Sequence, residues 1–293
     1  MDAIFTKLRQ QFERGDILVR LLFVNTVLFL IAGTLSVITA LTGIDLQAIL
    51  IYFELPAQWY QLFLQPWSLL SYMFLHTQFF HFLFNMLWLY WFGQLFLRCF
   101  STHQFLPVYL LGGIFGGLLF LLSYTIFPAL VPYESTTYLL GASASILAIV
   151  VATAVMMPDA PLQLLFLGVV RLKYIALFVV VLSFLNVASD NAGGNIAHLG
   201  GAAFGYFFAR RWKKGKDLSR GLTRMIDRCA QLFKPRVRME VRSGGAHFAK
   251  EKYQHGRGYQ ETVINAILDK IKRSGYDSLS DDEKKKLFQA GKK

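Results

Sequence analysis

Four side chains carry chemistry in a chain otherwise built for an apolar setting. Ser143 lies in Gly141-Ala142-Ser143-Ala144-Ser145, at the head of the run ILAIVVATAVMM. A serine hydroxyl that meets a histidine becomes an activated nucleophile. His198, within GGNIAHLGGAAFG, is the candidate base. His81 and Asn85 are four residues apart, so they share one helix face. Both are donors suited to a developing oxyanion. A helix beginning near Ser143 would add unpaired backbone N–H groups at its positive end. Each residue also has a plain structural reading. A serine in an apolar helix is usually a packing residue or bonds its own backbone, and an asparagine can be interhelical glue. An unpaired histidine is costly inside a membrane. Ser145 competes with Ser143, and spacing alone does not choose between them.

The 293 residues are 55% hydrophobic and 15% aromatic, with 27 Phe. A soluble globular domain is about 45–50% apolar. The net charge of +12 is uneven: residues 211–293 hold 22 basic and 10 acidic residues, so 22 − 10 = +12, and residues 1–210 are neutral. A neutral membrane body followed by a basic tail is the organisation this implies. Two cysteines, Cys99 and Cys229, make neither a disulfide framework nor a metal-ligand pair. The N-terminus, MDAIFTKLRQQFERGDILVR, is too charged to open an ordinary cleaved signal peptide.

A spanning helix needs about 20 mostly apolar residues. Six such segments are read at about 18–41, 79–98, 105–127, 140–157, 171–189 and 193–210. Residues 43–78 read instead as a long loop half-immersed in the interface, anchored by Trp59, Tyr60 and Trp67. Lys7, Arg9, Arg14, Arg20, Arg98, Arg171, Lys173 and the Arg210-Arg211-Trp212-Lys213-Lys214 run all fall on one side. The alternate connections, 43–78, 128–139 and 189–193, hold no Lys or Arg. Both termini are therefore expected to be cytoplasmic. Spans two, four and six then enter from the outer face, which puts His81, Asn85, Ser143 and His198 at one depth. Gly194, His198, Gly201 and Gly205 form a small-residue stripe that invites close helix approach. Its expected partner is span four, through a small face made by Gly141 and Ser145. The Gly112-Gly113/Gly116-Gly117 pattern of span three is read as packing.

These residues resemble the rhomboid family of intramembrane serine proteases. The segment PWSLLSYMFLHTQFFHFLFNMLWLYWFG, residues 66–93, is similar to that family's signature, with His-x-x-x-Asn at His81 and Asn85. GASA resembles its nucleophile motif, which selects Ser143 over Ser145. AHLGGAAFG resembles the segment carrying the base, His198. The resemblance covers about residues 15–212 and implies an all-α, six-helix membrane bundle with its site below the outer surface. It implies a Ser143–His198 dyad, with His81, Asn85 and the serine backbone N–H as the oxyanion hole. His76, Gly141 and Gly201 match supporting positions. It implies no cofactor and no metal. Substrates would be single-span membrane proteins entering sideways near span five. Three positions depart from the family: Ala144 stands where Gly is frequent, Leu147 where a Tyr can stack on the base, and Ser68 where an Arg follows the loop tryptophan.

Residues 1–17 read as a cytoplasmic segment, 18–212 as the membrane domain, 213–258 as a basic linker and 259–293 as a small cytosolic helical hairpin. The basic linker is expected near anionic lipid, at about 1 kcal/mol per basic residue. No nucleic acid partner is expected, since no recognised motif appears. Residues 260–274 carry an apolar stripe, Val263, Ile264, Ile267, Leu268 and Ile271, ended by Gly275. Ser280-Asp281-Asp282-Glu283 reads as a capping box opening a second helix. The functional expectation is an intramembrane serine protease of the inner cell membrane. The alternative is an inactive rhomboid-like protein that binds or sorts membrane clients. A transporter or aspartyl protease is disfavoured because no carboxylate lies deep in a span. A zinc protease is disfavoured because the His-Glu-x-x-His pair is missing.

Overall fold

The structure is a computed structural model and describes residues 16–45, 47–164, 168–233 and 264–290. Six helices form the body: α1 (Ile17–Thr42), α2 (Phe79–Cys99), α3 (Thr102–Ile126), α4 (Ser143–Met156), α5 (Leu172–Leu185) and α6 (Ala192–Trp212). They fall where the apolar runs predict. Asp16 caps α1 by accepting from the Val19 N–H at 3.0 Å. A Ser101–Gln104 capping box opens α3. Two of the six, α1 and α3, are by themselves long and apolar enough to cross a membrane. The others are shorter, or carry His, Asn, Gly and Arg.

The first loop is folded rather than extended. Short helices at Gln47–Ile51, Trp59–Leu64 and Ser68–Ser71 lead into a 3-10 turn at Tyr72–Phe74. Strand β1 (Leu55–Pro56) pairs antiparallel with β2 (Tyr138–Leu139), tying this loop to the segment just before Ser143. Trp59 Nε1 donates to Thr125 Oγ1 and Trp67 Nε1 to the Tyr52 carbonyl, both at 2.8 Å. Tyr60 remains 60% exposed. The connection between α4 and α5 holds a second antiparallel pair, β3 (Pro161–Leu164) with β4 (Gly168–Arg171).

Helix α4 is the centre of the bundle. Residues Ala144–Ala154 are buried without interruption, as expected of a helix apolar all round. It packs on α2, α3 and α6. Glycines set these distances. A Cβ at Gly201 would overlap the Ala144 carbonyl oxygen, and one at Gly205 the Ala148 carbonyl oxygen. A Cβ at Gly112 would overlap that of Ala148, and one at Gly116 would come within 2.7 Å of the Ala144 Cβ. The α3 pattern is therefore packing, as read.

The expected small face of span four is corrected in two respects. Gly141 precedes the helix, so it cannot share a face with Ser145. Ser145 itself turns toward Gly113 of α3, the Ala144 and Ala148 methyls likewise face Gly116 and Gly112, and α6 rests on the Ala144 and Ala148 carbonyls. Gly194 is also not part of the α6 contact: a Cβ there would meet the Asn191 side chain.

Many apolar side chains face outward, among them Leu30, Ile31 and Val37 of α1 and Leu177, Phe178 and Phe184 of α5. Such a surface is unfavourable in water and suits lipid.

The chain divides into two units, residues 1–233 and 234–293. Helix α7 (Arg220–Phe233) lies inside the segment expected to be a linker. The chain leading to it is held by Gln104 Nε2 donating to Asp217 Oδ2 at 3.4 Å and the Ser219 N–H donating to Asp217 Oδ1 at 2.8 Å. The rest of the expected linker, and Val263, lie outside the described residues. In the second unit, α8 (264–274) ends at Gly275, whose φ of 80° needs glycine. Helix α9 (Asp281–Ala290) opens with the expected capping box: the Ser280 N–H donates to Glu283 Oε2, and the Glu283 N–H donates to Ser280 Oγ. Ile267 and Leu279 are buried, but Leu268 of the expected stripe is exposed.

The Gly205→Ala substitution is expected to cost about 1–3 kcal/mol through overpacking against the Ala148 carbonyl. Gly33→Ala, with nothing within 4 Å of the added Cβ, is expected to be neutral or mildly stabilising. Thermal unfolding in detergent of both variants beside wild type measures the contrast.

Candidate active site

The site starts from Gly141. Its φ of +114° is open only to glycine, and a Cβ there would lie 2.7 Å from His81 Cε1. The Gly141 N–H donates to the Tyr72 carbonyl at 2.8 Å. Tyr72 and Tyr109 fix this part of the first loop: their hydroxyls donate to the Gly113 and Met73 carbonyls at 2.6 and 3.0 Å. The turn at Gly141 and Ala142 delivers Ser143 as the first residue of α4. The backbone N–H groups of that first turn have no partner within the helix and form its positive end.

His198 reaches Ser143 from α6. Its Nε2 lies 2.7 Å from Ser143 Oγ. Both residues are half-buried, so one side of the pair stays accessible. Gly201, one turn further on, sits on the Ala144 carbonyl and makes this approach possible. The other ring nitrogen, Nδ1, lies 3.3 Å from Ser183 Oγ on α5. Ser183 did not figure among the sequence candidates. Its signal was there: one hydroxyl late in LKYIALFVVVLSFL.

His76 gathers the remaining donors. Its Nε2 accepts from the Ala142 N–H at 3.4 Å and from Asn85 Nδ2 at 3.2 Å. A neutral ring with its hydrogen on Nδ1 satisfies both. Nδ1 itself is buried with no partner in hydrogen-bond geometry among the described residues. Burial, aided by nearby His81, lowers His76 to about 4. The His76 and His81 rings meet edge-on at 5.4 Å. Asn85 is thus already engaged through one amide hydrogen and keeps a second. Ser145 is fully buried and its Oγ has no hydrogen-bond partner. It faces α3, away from the contact with α6. Among the described residues no group of three His, Cys, Asp or Glu is placed to hold a metal ion.

A serine hydroxyl at hydrogen-bond distance from an imidazole, at a helix N-terminus, can attack a carbonyl while the ring takes its proton. The Rhomboid domain family matches residues 64–212, and the chain belongs to the rhomboid family. The match begins within the first loop, so α1 lies outside it. Residues 250–293 match a second family, described only as one of unknown function. RHOMBOID-like protein 12, mitochondrial, of Arabidopsis thaliana is 28% identical over 158 residues, 51% of this chain and 47% of that protein. The chain therefore spans about half the length of this curated relative. The rhomboid domain and the outward-facing apolar helices make this a membrane protein.

Neutral His76 has a thermodynamic consequence. Below its ordinary value of 6.5 the unfolded chain binds a proton that the folded protein refuses until about 4. Its contribution is therefore complete above pH 6.5, falls as pH drops toward 4 and then levels, a loss of about 3 kcal/mol. Unfolding midpoints of wild type and His76→Gln across pH 4–7 measure it; the variant is expected to lack this component.

Proposed function

We propose that the protein is an intramembrane serine endopeptidase that cuts single-span membrane proteins with Ser143 as nucleophile and His198 as general base. The observation that carries this reading is the 2.7 Å approach of His198 Nε2 to Ser143 Oγ across two helices. Helices α1–α6 are the six spans, with α4 short because its neighbours enclose it. A helix of 14 residues is about 21 Å long, against a hydrocarbon core of about 30 Å. The lysine and arginine asymmetry puts both termini in the cytoplasm of a cell whose inner membrane holds the bundle. The site then opens toward the outer face. The basic segment after Trp212 lies near anionic lipid.

In the reaction the Ser143 hydroxyl proton passes to His198 Nε2 as Oγ attacks the scissile carbonyl. The oxyanion forms beside the first-turn N–H groups of α4, with His81 and the free amide hydrogen of Asn85 as further donors. His198 then returns the proton to the leaving amine, and water completes the hydrolysis of the acyl-serine.

Cleavage of a single-span substrate in lipid, and labelling by a serine-directed phosphonate, are expected to fall at least about a thousandfold in Ser143→Ala and His198→Ala. Ser145→Ala is expected to retain both. Loss confined to Ser145→Ala would transfer the nucleophile to that residue. A folded wild type that neither cleaves nor labels would leave a client-binding rhomboid-like protein.

A further inference from the structure

Helix α5 is thinly attached to the bundle. Only Leu172, Ala176 and Ser183 of its 14 residues are buried. Leu177, Phe178, Phe184 and Leu185 are 59–68% exposed. Against that outward-facing helix, Ser183 is 4% exposed and turns its hydroxyl to His198 Nδ1 at 3.3 Å. The residue one turn after Ser143 is Leu147, a buried aliphatic that offers the ring neither a hydrogen bond nor an aromatic face. The two hydrogen bonds to His198 among the described residues are those of Ser143 and Ser183.

A neutral imidazole has one N–H and one lone pair. If Nε2 is to accept the Ser143 hydroxyl proton, the ring hydrogen must sit on Nδ1, and there it needs an acceptor. We propose that Ser183 is a positioning residue of the dyad. Its Oγ accepts the His198 Nδ1–H, which fixes the tautomer and the ring rotation and directs the Nε2 lone pair at Ser143. This role rests on the protease reading for its consequence in turnover, but not for the tautomer itself. A neutral hydroxyl acceptor orients the ring without supplying the charge that a triad carboxylate would bring. Its loss is therefore expected to cost about tenfold, the range of one neutral hydrogen bond, rather than the whole rate.

The test uses the full-length chain in lipid with Ser183→Val and Ser183→Thr. Both add the same methyl branch, and only threonine keeps the hydroxyl. Nitrogen-15 NMR of labelled histidine, with His198 assigned through His198→Gln, reads the tautomer without any turnover. Wild type and Ser183→Thr are expected to show a protonated Nδ1 and an unprotonated Nε2, and Ser183→Val a mixture. With substrate, kcat of Ser183→Val is expected to fall about tenfold at unchanged KM, and Ser183→Thr to stay within about twofold of wild type. If Ser183→Val does not fold, Ser183→Ala replaces it, since it only removes an atom. The proposal is overturned if the hydroxyl-free variant keeps the wild-type tautomer, if it keeps the wild-type kcat, or if Ser183→Thr is as impaired. An inert wild type would sink the protease reading alone, because the tautomer comparison still decides the role of Ser183.

Discussion

The close approach of α4 and α6 governs this structure. Gly201 and Gly205 let the α6 backbone rest on the Ala144 and Ala148 carbonyls, leaving no room for even one more methyl group. The 2.7 Å contact of His198 with Ser143 lies at the end of this same seam. In lipid, helix association gains little from the hydrophobic effect, so it depends on van der Waals contact and hydrogen bonds. Glycine at the seam brings the backbones together, and with them an imidazole on one helix to a hydroxyl on another.

A second constraint acts from the first loop. The Tyr72 carbonyl accepts from the Gly141 N–H and His76 from the Ala142 N–H, and β1 pairs with β2 just upstream. Every one of these contacts is long-range in sequence. Together they set where α4 begins, and so which residue occupies its first position. A start one residue later would rotate the serine by about 100° around the helix axis. The loop thus sets the direction of the Ser143 side chain. The three deviations from the family pattern fall outside the Ser143–His198 contact. Leu147 is a buried aliphatic, and the Ser183 hydroxyl on α5 stands at the His198 ring nitrogen opposite Ser143.

Six helices were legible in the sequence because apolar runs and their charged ends are local properties. His198, His81 and Asn85 stood out because polar groups are rare and costly inside such runs, whereas Ser143 was chosen over Ser145 only by its resemblance to the family motif. The capping box at Ser280 was visible for the same local reason. The β3–β4 pair and helix α7 were missed. The first is held by pairing between strands, and the second lies in a basic stretch whose composition alone reads as solvated chain.

The sequence by itself determined the helices, the residue types able to do chemistry, and the glycines that permit close approach. Tertiary structure alone decided their partners. It turned the Ala144, Ser145 and Ala148 side chains to α3 and set α6 on the Ala144 and Ala148 carbonyls. It placed Gly141 outside the helix against His81, and brought Ser183 to the far side of His198. The physical reason is geometric. Each step along a helix turns a side chain by about 100°, so the neighbour it meets depends on where the helix starts and how it crosses the next one. Both quantities are fixed by contacts between residues far apart in the chain.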